Sequence, residues 1–286
     1  MKVVKQIIKR LTKPEQRVKV KKWKRHLKEF FLHKKKMSIN EFRRILVDEL
    51  GVKKGDRIVV SSSFGNLNAN FSPQQLIELL QDIVTEEGTI MMPYYPPTNS
   101  TIWAKEGKVF DMNNTRSGMG VVTNVFAKMP NVVMSCHPTK AVCIWGKDAE
   151  ELARGHEIST TPYYWDSPYG KMLKAGSKSL CLGLKNIPMF HAVEDVLSPV
   201  PTYYEQKKYK LEVICKDGIH ITTYSFIHNE EVMNRCQAPG DYVASLSLTG
   251  YKKIKCGYKY IIVVDNSELL IASEKEFIAD HTRIVR

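Results

Sequence analysis

The stretch from residue 179 to residue 194, SLCLGLKNIPMFHAVE, constrains the fold more than any other, because it passes from a strand pattern to a helix pattern within a few residues. An apolar run ends in a turn that contains glycine, and Pro188 precedes a segment that can begin a helix. On that helix, His191 and Glu194 would lie three residues apart on one face. Such a pair can transfer protons, although an ordinary surface pair has the same spacing.

The remaining segments also alternate between strand and helix patterns. A capping box begins a helix at Ser38, a buried strand follows at residues 57–61, and Ser72 caps a helix that reaches residue 84. After the midpoint, a turn at residues 217–218 separates two strand patterns and predicts a hairpin. We therefore predict an α/β fold with a mixed sheet flanked by helices and an antiparallel portion in the second half.

The positive charge of the chain lies in one segment. The 286 residues contain 43 Lys and Arg against 30 Asp and Glu, a net charge of +13, and residues 1–37 hold 15 of these bases and two of these acids. Apolar residues at helical spacing between the lysines predict a basic amphipathic helical arm over residues 1–37, followed by a single domain over residues 38–286. The arm suits a membrane surface, its own domain, or another subunit of a homo-oligomer. Nucleic acid is the least favoured partner, because the arm lacks base-stacking features.

Cysteine usage and hydropathy predict a cytoplasmic protein. Six cysteines are spread through the chain without a Cys-x-x-Cys pair, which is typical of buried, reduced thiols. We find no signal-peptide pattern and no run of roughly 20 apolar residues. Peripheral contact at the inner face of the membrane, through residues 1–37, is the alternative location. No metal-binding motif is present, and we predict that no metal is used.

Two stretches have the composition of ligand-binding segments. Ser61, Ser62 and Ser63 follow the first predicted strand, where α/β folds place ligand sites. The long segment from residue 93 to residue 114 carries Tyr94, Tyr95 and Trp103, and we predict that these aromatic residues line an acceptor pocket. Nucleophile-elbow, phosphate-loop, zincin and dinucleotide motifs are absent, which disfavours hydrolases, kinases, metalloproteases and dehydrogenases.

An ordered set of short motifs resembles the aminoglycoside 3-N-acetyltransferase family over roughly residues 40–230. These motifs are residues 59–63 (VVSSS), 87–93 (EGTIMMP), 117–120 (SGMG), 137–138 (HP), 167–170 (SPYG), 182–183 (LG) and 191–194 (HAVE). The resemblance implies an acyl-CoA-dependent N-acyltransferase, with acetyl-CoA or another acyl-CoA as the donor.

The resemblance also implies roles for individual residues. His191 and Glu194 match the pair that activates the acceptor amine, and His137 matches a His-Pro motif beside the active centre. We expect Glu194 to fix the tautomer of His191 and to raise the pKa of its imidazole. The expected coenzyme A pocket and acceptor site include the following residues: Ser61, Ser62, Ser63, Arg116, Ser117 and Met119 for coenzyme A; Tyr94, Tyr95, Trp103, Ser167 and Tyr169 for the acceptor.

The sequence departs from the family pattern at a few positions. Ser61 replaces the usual histidine, Met134 an arginine and Ala141 a serine, and Pro188 stands where the family has a threonine nearby. The basic arm also lies outside the pattern. These differences affect the groups expected to polarise the thioester carbonyl and to bind the acceptor.

The positions of the charged residues indicate which class of acceptor to expect. A polycationic aminoglycoside needs carboxylate partners, but the body of the chain is neutral and the predicted pocket wall carries Lys105 and Lys108 beside Glu106 and Asp111. We therefore predict an amino sugar linked to a nucleotide or lipid diphosphate, as used in surface polysaccharide synthesis. The alternatives are an aminoglycoside antibiotic 3-N-acetyltransferase and a non-catalytic protein that binds membrane or nucleic acid through the arm.

Overall fold

Two sheets organise the computed structural model, which describes residues 36–198, 202–279 and 282. The strands are β1 (Arg57–Ser62), β2 (Thr89–Pro93), β3 (Phe110–Asp111), β4 (Val133–Met134), β5 (Val142–Gly146), β6 (Lys178–Leu182), β7 (Tyr209–Ile214), β8 (His220–Ser225), β9 (Lys252–Cys256) and β10 (Lys259–Asp265). The larger sheet has the order β4-β5-β2-β1-β6-β10-β9, and the smaller has the order β3-β7-β8.

Strand directions bring the ends of three strands to one edge. β1 pairs in parallel with both β2 and β6, whereas β5 is antiparallel to β2 and β10 is antiparallel to β6. In register, Ser61 lies opposite Cys181 and Ser62 opposite Leu182. Because the carboxyl ends of β1, β2 and β6 meet at this edge, the turns that follow them can form one site.

Helices pack on both faces of the larger sheet. They are α1 (Ile39–Arg44), α2 (Pro73–Val84), α3 (Ser100–Lys105), α4 (Val121–Phe126), α5 (Ala149–Ala153), α6 (Pro168–Lys174), α7 (Met189–Leu197), α8 (Glu230–Arg235), α9 (Pro239–Ser245) and α10 (Asn266–Ile278). A π-helical turn, Ile45–Glu49, continues α1, and short 3₁₀ turns cover Phe64–Asn66 and His156–Ile158.

Buried side chains on the two faces of the sheet form two cores. In β1, Ile58 and Val60 belong to one core and Val59 to the other, as expected from the alternation of a strand. Every residue of β2 is buried, because helices cover both of its faces. The second core includes Phe190 of α7, so the helix that carries His191 is anchored by its apolar face.

The predicted fold class is confirmed by this architecture. The predicted caps are also present: the Ser72 hydroxyl accepts from the Gln75 backbone N–H in a reciprocal capping box, and the Ser38 hydroxyl accepts from the Glu41 backbone N–H. The hairpin β7-β8 lies where the turn at residues 217–218 predicts it. Antiparallel pairing also occurs in the first half of the chain, where β4 and β5 extend the sheet, and the sequence did not indicate this.

The cysteine prediction is wrong for two of the six thiols. Cys136 and Cys215 form a disulfide across 79 residues, with a Cα–Cα distance of 5.3 Å. Cys143, Cys181, Cys236 and Cys256 are free. The bridge joins the turn after β4 to the end of β7, two elements that become neighbours only through the packing of the two sheets.

The predicted basic arm lies almost entirely outside the described residues. Its helical character and the division of the chain at residues 37 and 38 therefore stay predictions. In the part of the chain that the structure describes, no helix combines the length and apolar character needed to cross a bilayer.

Gly240 allows α9 to approach the loop after β6, which leads into α7. A Cβ at this position would overlap the backbone carbonyl oxygen of Lys185. We expect Gly240→Ala to lower the free energy of unfolding by about 2 kcal/mol, because the loop or the helix must move. Urea unfolding measures this change. Gly65→Ala is the control, since a Cβ there meets nothing within 4 Å; equal stabilities of the two variants would contradict the prediction.

Candidate active site

A cavity of about 410 Å³ opens at the edge where β1 and β2 end and α7 begins. Its walls come from seven segments of the chain, and they contain two imidazoles and one ammonium group. The lining residues are Ser61, Ser62, Pro93, Tyr95, Gly118, Met119, Thr123, Lys140, Tyr163, Leu184, Asn186, Pro188, His191 and His228. The position matches the rule that ligands bind outside the carboxyl ends of parallel strands.

His191 and Glu194 form a hydrogen-bonded pair on α7. The distance from His191 Nδ1 to Glu194 Oε2 is 3.0 Å, and the side chains are 16% and 1% exposed, respectively. A carboxylate can only accept, so Nδ1 carries the proton of the neutral ring and Nε2 is the basic nitrogen. The exposed part of the imidazole lies in the cavity wall, whereas the carboxylate is held behind it.

A second imidazole, His228, lines the same cavity. Its ring centroid is 5.1 Å from that of His191, and it stacks on the rings of Tyr204 at 4.9 Å and Tyr163 at 6.0 Å. Tyr163 also contacts His191 at 5.2 Å. These aromatic contacts fix the spacing of the two imidazoles across one wall of the cavity.

Asp195 supports this wall from beneath. The hydroxyl of Tyr204 donates to Asp195 Oδ2 at 2.6 Å, and the hydroxyl of Thr161 donates to the same oxygen. Burial raises the pKa of Asp195 to about 7, although both hydrogen bonds act in the opposite direction. Asp195 therefore positions Tyr204, on which His228 stacks, and does not itself line the cavity.

Lys140 brings a positive charge to the same cavity. Its Nζ lies 4.6 Å from the ring centroid of Tyr95 and 5.9 Å from that of Tyr163, and it donates to the hydroxyl of Ser100 at 3.1 Å. Burial lowers the pKa of Lys140 to about 8, so the group is still mostly protonated at neutral pH.

His137 is placed behind the cavity, and it is not among the lining residues. It is 1% exposed, and its Nδ1 accepts from the backbone N–H groups of Thr139 at 3.1 Å and Lys140 at 3.0 Å. Burial holds the pKa of His137 well below its usual value, and the nearby His156 and Lys140 act in the same direction. This arrangement favours a structural role in the turn that carries Lys140.

The three serines of the turn at the end of β1 lie in different environments. Ser61 donates to the carbonyl of Asn186 at 2.9 Å, and Ser63 accepts from the side-chain amide of Asn66 at 2.9 Å. Ser62 lines the cavity, and its hydroxyl has no partner among the described residues. Ser62 is therefore the member of the turn best placed to contact a ligand.

The segment from Arg116 to Met119 separates two cavities. Met119 lines the first cavity, whereas Arg116 lines a second one of about 550 Å³ together with Lys128 and Lys216. Ser117 is buried between them, where its hydroxyl donates to the carbonyl of Tyr95 and accepts from the N–H of Met119. The two cavities therefore share one loop, and the second is lined by three cationic side chains.

The five predicted acceptor residues are not brought together. Tyr95 lines the first cavity, and its hydroxyl bonds to those of Tyr163 at 3.0 Å and Tyr169 at 2.6 Å. Tyr169 is fully buried behind it. The remaining three lie elsewhere: Tyr94 lines the second cavity, Trp103 packs on Phe110, and Ser167 caps α6.

Several lining residues were not singled out from the sequence, among them Lys140, Tyr163, Asn186 and His228. Asn186 lies within the stretch from residue 179 to residue 194, and Lys140 follows the His-Pro motif by two residues, so these positions were the available signal. Tyr163 and His228 lie in loops without a motif, and the sequence gives no signal for them. In the described ranges, no three His, Cys, Asp or Glu side chains are grouped so as to hold a metal ion.

Comparison with known proteins gives a family match. The family model described as aminoglycoside 3-N-acetyltransferase matches residues 59–277. The SPbeta prophage-derived aminoglycoside N(3')-acetyltransferase-like protein YokD of Bacillus subtilis (strain 168) is 30% identical over 165 residues, which are 51% of this chain and 60% of the relative. Aminoglycoside N(3)-acetyltransferase VII of Streptomyces paromomycinus is 25% identical over 162 residues, 51% of this chain and 56% of the relative. The chain thus spans less than two thirds of the length of these curated relatives.

The fold is also shared with solved structures. The structure of AAC-IIIb in a binary complex with CoASH has a TM-score of 0.69 and 17% sequence identity, with 86% of this chain and 98% of that chain covered. At this level of identity, the likeness extends to the fold.

Proposed function

The chain belongs to the aminoglycoside 3-N-acetyltransferase family, and from this premise we propose that it transfers an acyl group from a coenzyme A thioester to an amine of an amino sugar. The observation that carries the proposal is the pair of His191 and buried Glu194, joined at 3.0 Å in the wall of a cavity. A thioester is attacked only by a neutral amine, and the amine of a sugar is largely protonated at neutral pH. A base in the cavity is therefore required.

His191 supplies that base. Its Nε2 accepts a proton from the amine as the nitrogen bonds to the thioester carbonyl carbon, and Glu194 stabilises the imidazolium that forms. When the carbon–sulfur bond breaks, the sulfur leaves as a thiolate and takes the proton back from the imidazolium. The products are an amide and free coenzyme A. The Ser62 hydroxyl is the donor that we assign to the carbonyl oxygen, because Pro188 brings no hydroxyl to the cavity wall.

The second cavity fits the phosphates of coenzyme A. Arg116, Lys128 and Lys216 supply cationic donors, and no carboxylate belongs to the described lining of this cavity. The loop that it shares with the first cavity would let the thiol end reach His191. AAC-IIIb, which has the same fold, was solved with CoASH. We expect Arg116 to bind phosphate and Ser62 and Met119 to line the path of the thioester.

Two classes of acceptor follow from different observations. The names of the curated relatives favour an aminoglycoside. The charges of the first cavity favour an amino sugar linked to a nucleotide or lipid diphosphate, since its described lining contains a lysine and no Asp or Glu. A role in surface polysaccharide synthesis depends on this second class.

Product analysis by mass spectrometry tests the proposal. The full chain is incubated with acetyl-CoA and, separately, with an aminoglycoside, a nucleotide-linked amino sugar and a simple hexosamine. We expect a mass gain of one acetyl group on at least one amine and stoichiometric release of coenzyme A. Release of coenzyme A without an acetylated product, at the rate of spontaneous hydrolysis, would contradict an acetyltransferase.

A further inference from the structure

We propose that Lys140 selects the acceptor by binding an anionic group, a carboxylate or a phosphate, on the molecule whose amine faces His191. This inference rests on the proposed N-acetyltransferase function and adds the substrate class to it. It assigns to Lys140 the recognition of the acceptor, whereas His191 and Glu194 move the proton.

The first support is the position of Lys140 relative to the proposed base. Both residues line the same cavity. The Tyr163 ring lies near both: its centroid is 5.9 Å from Lys140 Nζ and 5.2 Å from the His191 ring. An ammonium group and a base that flank one aromatic ring suit a small acceptor that carries an anion and an amine about one sugar ring apart.

The second support is that the ammonium group is held in place without a counter-ion. The turn that carries Lys140 is fixed by His137, whose Nδ1 accepts from the backbone N–H of Lys140, and by Ser100, whose hydroxyl accepts from Nζ. Within the described ranges, no carboxylate forms an ion pair with Lys140. An ammonium group has three donors, and a partly buried charge with one neutral acceptor gains most from an incoming anion.

The third support comes from the acids near the cavity, which are already engaged. Glu194 is 1% exposed and bonded to His191, and Asp195 is buried beneath Tyr204 and Thr161. A polycation in this cavity would therefore face Lys140 without carboxylates to offset the repulsion, which disfavours aminoglycosides with several ammonium groups.

Acetylation of a matched set of amines tests the inference. The probes are glucosamine, glucosamine 6-phosphate, 2-amino-2-deoxyglucuronic acid and the polycation sisomicin, each with acetyl-CoA. For the wild-type chain we expect kcat/KM to be about 10-fold or more higher for an anionic sugar than for glucosamine, since one hydrogen bond to a charged group accounts for such a factor. The phosphate and the carboxylate probes distinguish the two sources of the anion.

Variants of Lys140 isolate its contribution. Lys140→Met should bring the anionic-to-neutral ratio of kcat/KM close to one, mainly through a higher KM for the anionic sugars. Lys140→Arg should restore most of the preference. Lys253→Met is the matched control, because Lys253 also lies over a tyrosine ring, that of Tyr260 at 4.3 Å, but on β9 at the edge of the sheet.

Calorimetric binding of glucosamine 6-phosphate separates this inference from the proposed function. If Lys140→Met weakens the binding of glucosamine 6-phosphate about 10-fold or more, the anion site is supported. This holds even if no amine is acetylated, and only the acetyltransferase proposal would then fail. Acetylation of sisomicin with a kcat/KM equal to or higher than that of both anionic sugars would overturn the inference and leave the acetyltransferase proposal intact. Equal binding of the phosphate by the two proteins, or binding by neither, would also overturn it.

Discussion

Replacing His191 with alanine is expected to lower kcat for acetyl transfer by about 10²-fold or more, with little change in the Kd for acetyl-CoA. Alanine removes the only ring nitrogen that we assign to proton removal, so the amine must lose its proton to water. The thioester and its phosphates would still meet the Ser62 turn and the cationic second cavity. Steady-state kinetics with a saturating amine measures the first quantity, and calorimetry measures the second.

Glu194→Gln tests whether the carboxylate acts through the imidazole. Glutamine keeps the size of the side chain but can donate to Nδ1, which permits the wrong tautomer and leaves the imidazolium without a counter-charge. We expect kcat to fall at least about 10-fold and the rate to recover partly at higher pH, where more of the amine is neutral. A fall in KM alone would contradict this role.

A second histidine–glutamate pair provides matched controls. His220 Nε2 lies 3.2 Å from Glu212 Oε2 on the hairpin β7-β8, and the His220 side chain is 54% exposed. His220→Ala and Glu212→Gln make the same chemical changes at a surface pair, so kcat should stay at the wild-type value. If the protein were non-catalytic and worked through its basic arm, the variants of the two pairs would not differ in acetyl transfer. That result would contradict the proposal that the protein is an enzyme.

The comparison of the two pairs also shows what sequence alone can establish. His191 and Glu194 are recognisable because both stand on one helix that follows a strand and a proline, so local spacing fixes their geometry. Ser62 is recognisable for the same reason, as it ends a buried strand. Residues of this kind are placed by the elements that carry them, and the fold class follows from the same local signals.

Other parts of the site depend on long-range packing. Lys140 and His228 reach the cavity on separate segments, one in a turn after β4 and the other in the chain that follows β8, and no spacing in the sequence relates them. The disulfide between Cys136 and Cys215 likewise joins two distant parts of the chain, the turn after β4 and the end of β7. For His137, the sequence identifies the His-Pro motif, but only the structure shows that backbone N–H groups donate to its Nδ1.

The two buried histidines beneath this turn should make the fold sensitive to acid. His156 is fully buried; its Nε2 donates to the carbonyl of Pro162 at 3.1 Å and its Nδ1 accepts from the hydroxyl of Ser135 at 2.8 Å. Burial lowers the pKa of His156 to about 3 and also holds the pKa of His137 well below its usual value. Both rings therefore stay neutral in the folded chain while the unfolded chain takes up protons below about pH 6.5.

The sign of the resulting pH dependence follows from the number of protons bound. Below about pH 6.5, and above the lowered pKa values of the two buried histidines, the unfolded chain binds up to one more proton than the folded chain at each of them, so each lowers the free energy of unfolding as the pH falls. Asp195 acts in the opposite sense over the same range, because its folded pKa is raised to about 7 and the folded chain binds the extra proton. Two contributions against one leave a net loss of about 1.4 kcal/mol per pH unit on acidification from these three groups.

His156→Gln removes one of the two histidine contributions, so the loss on acidification from these groups should nearly vanish. Glutamine can still donate to Pro162 and accept from Ser135, which preserves the neutral hydrogen bonds. Urea unfolding of both proteins at about pH 6 and about pH 4.5 measures the slope, with His220→Gln as the control at an exposed site. Because the comparison uses the slope, a uniform destabilisation of the variant does not affect it. An unchanged slope would mean that His156 takes up a proton in the folded chain, and the hydrogen bond from Ser135 to Nδ1 could then not persist.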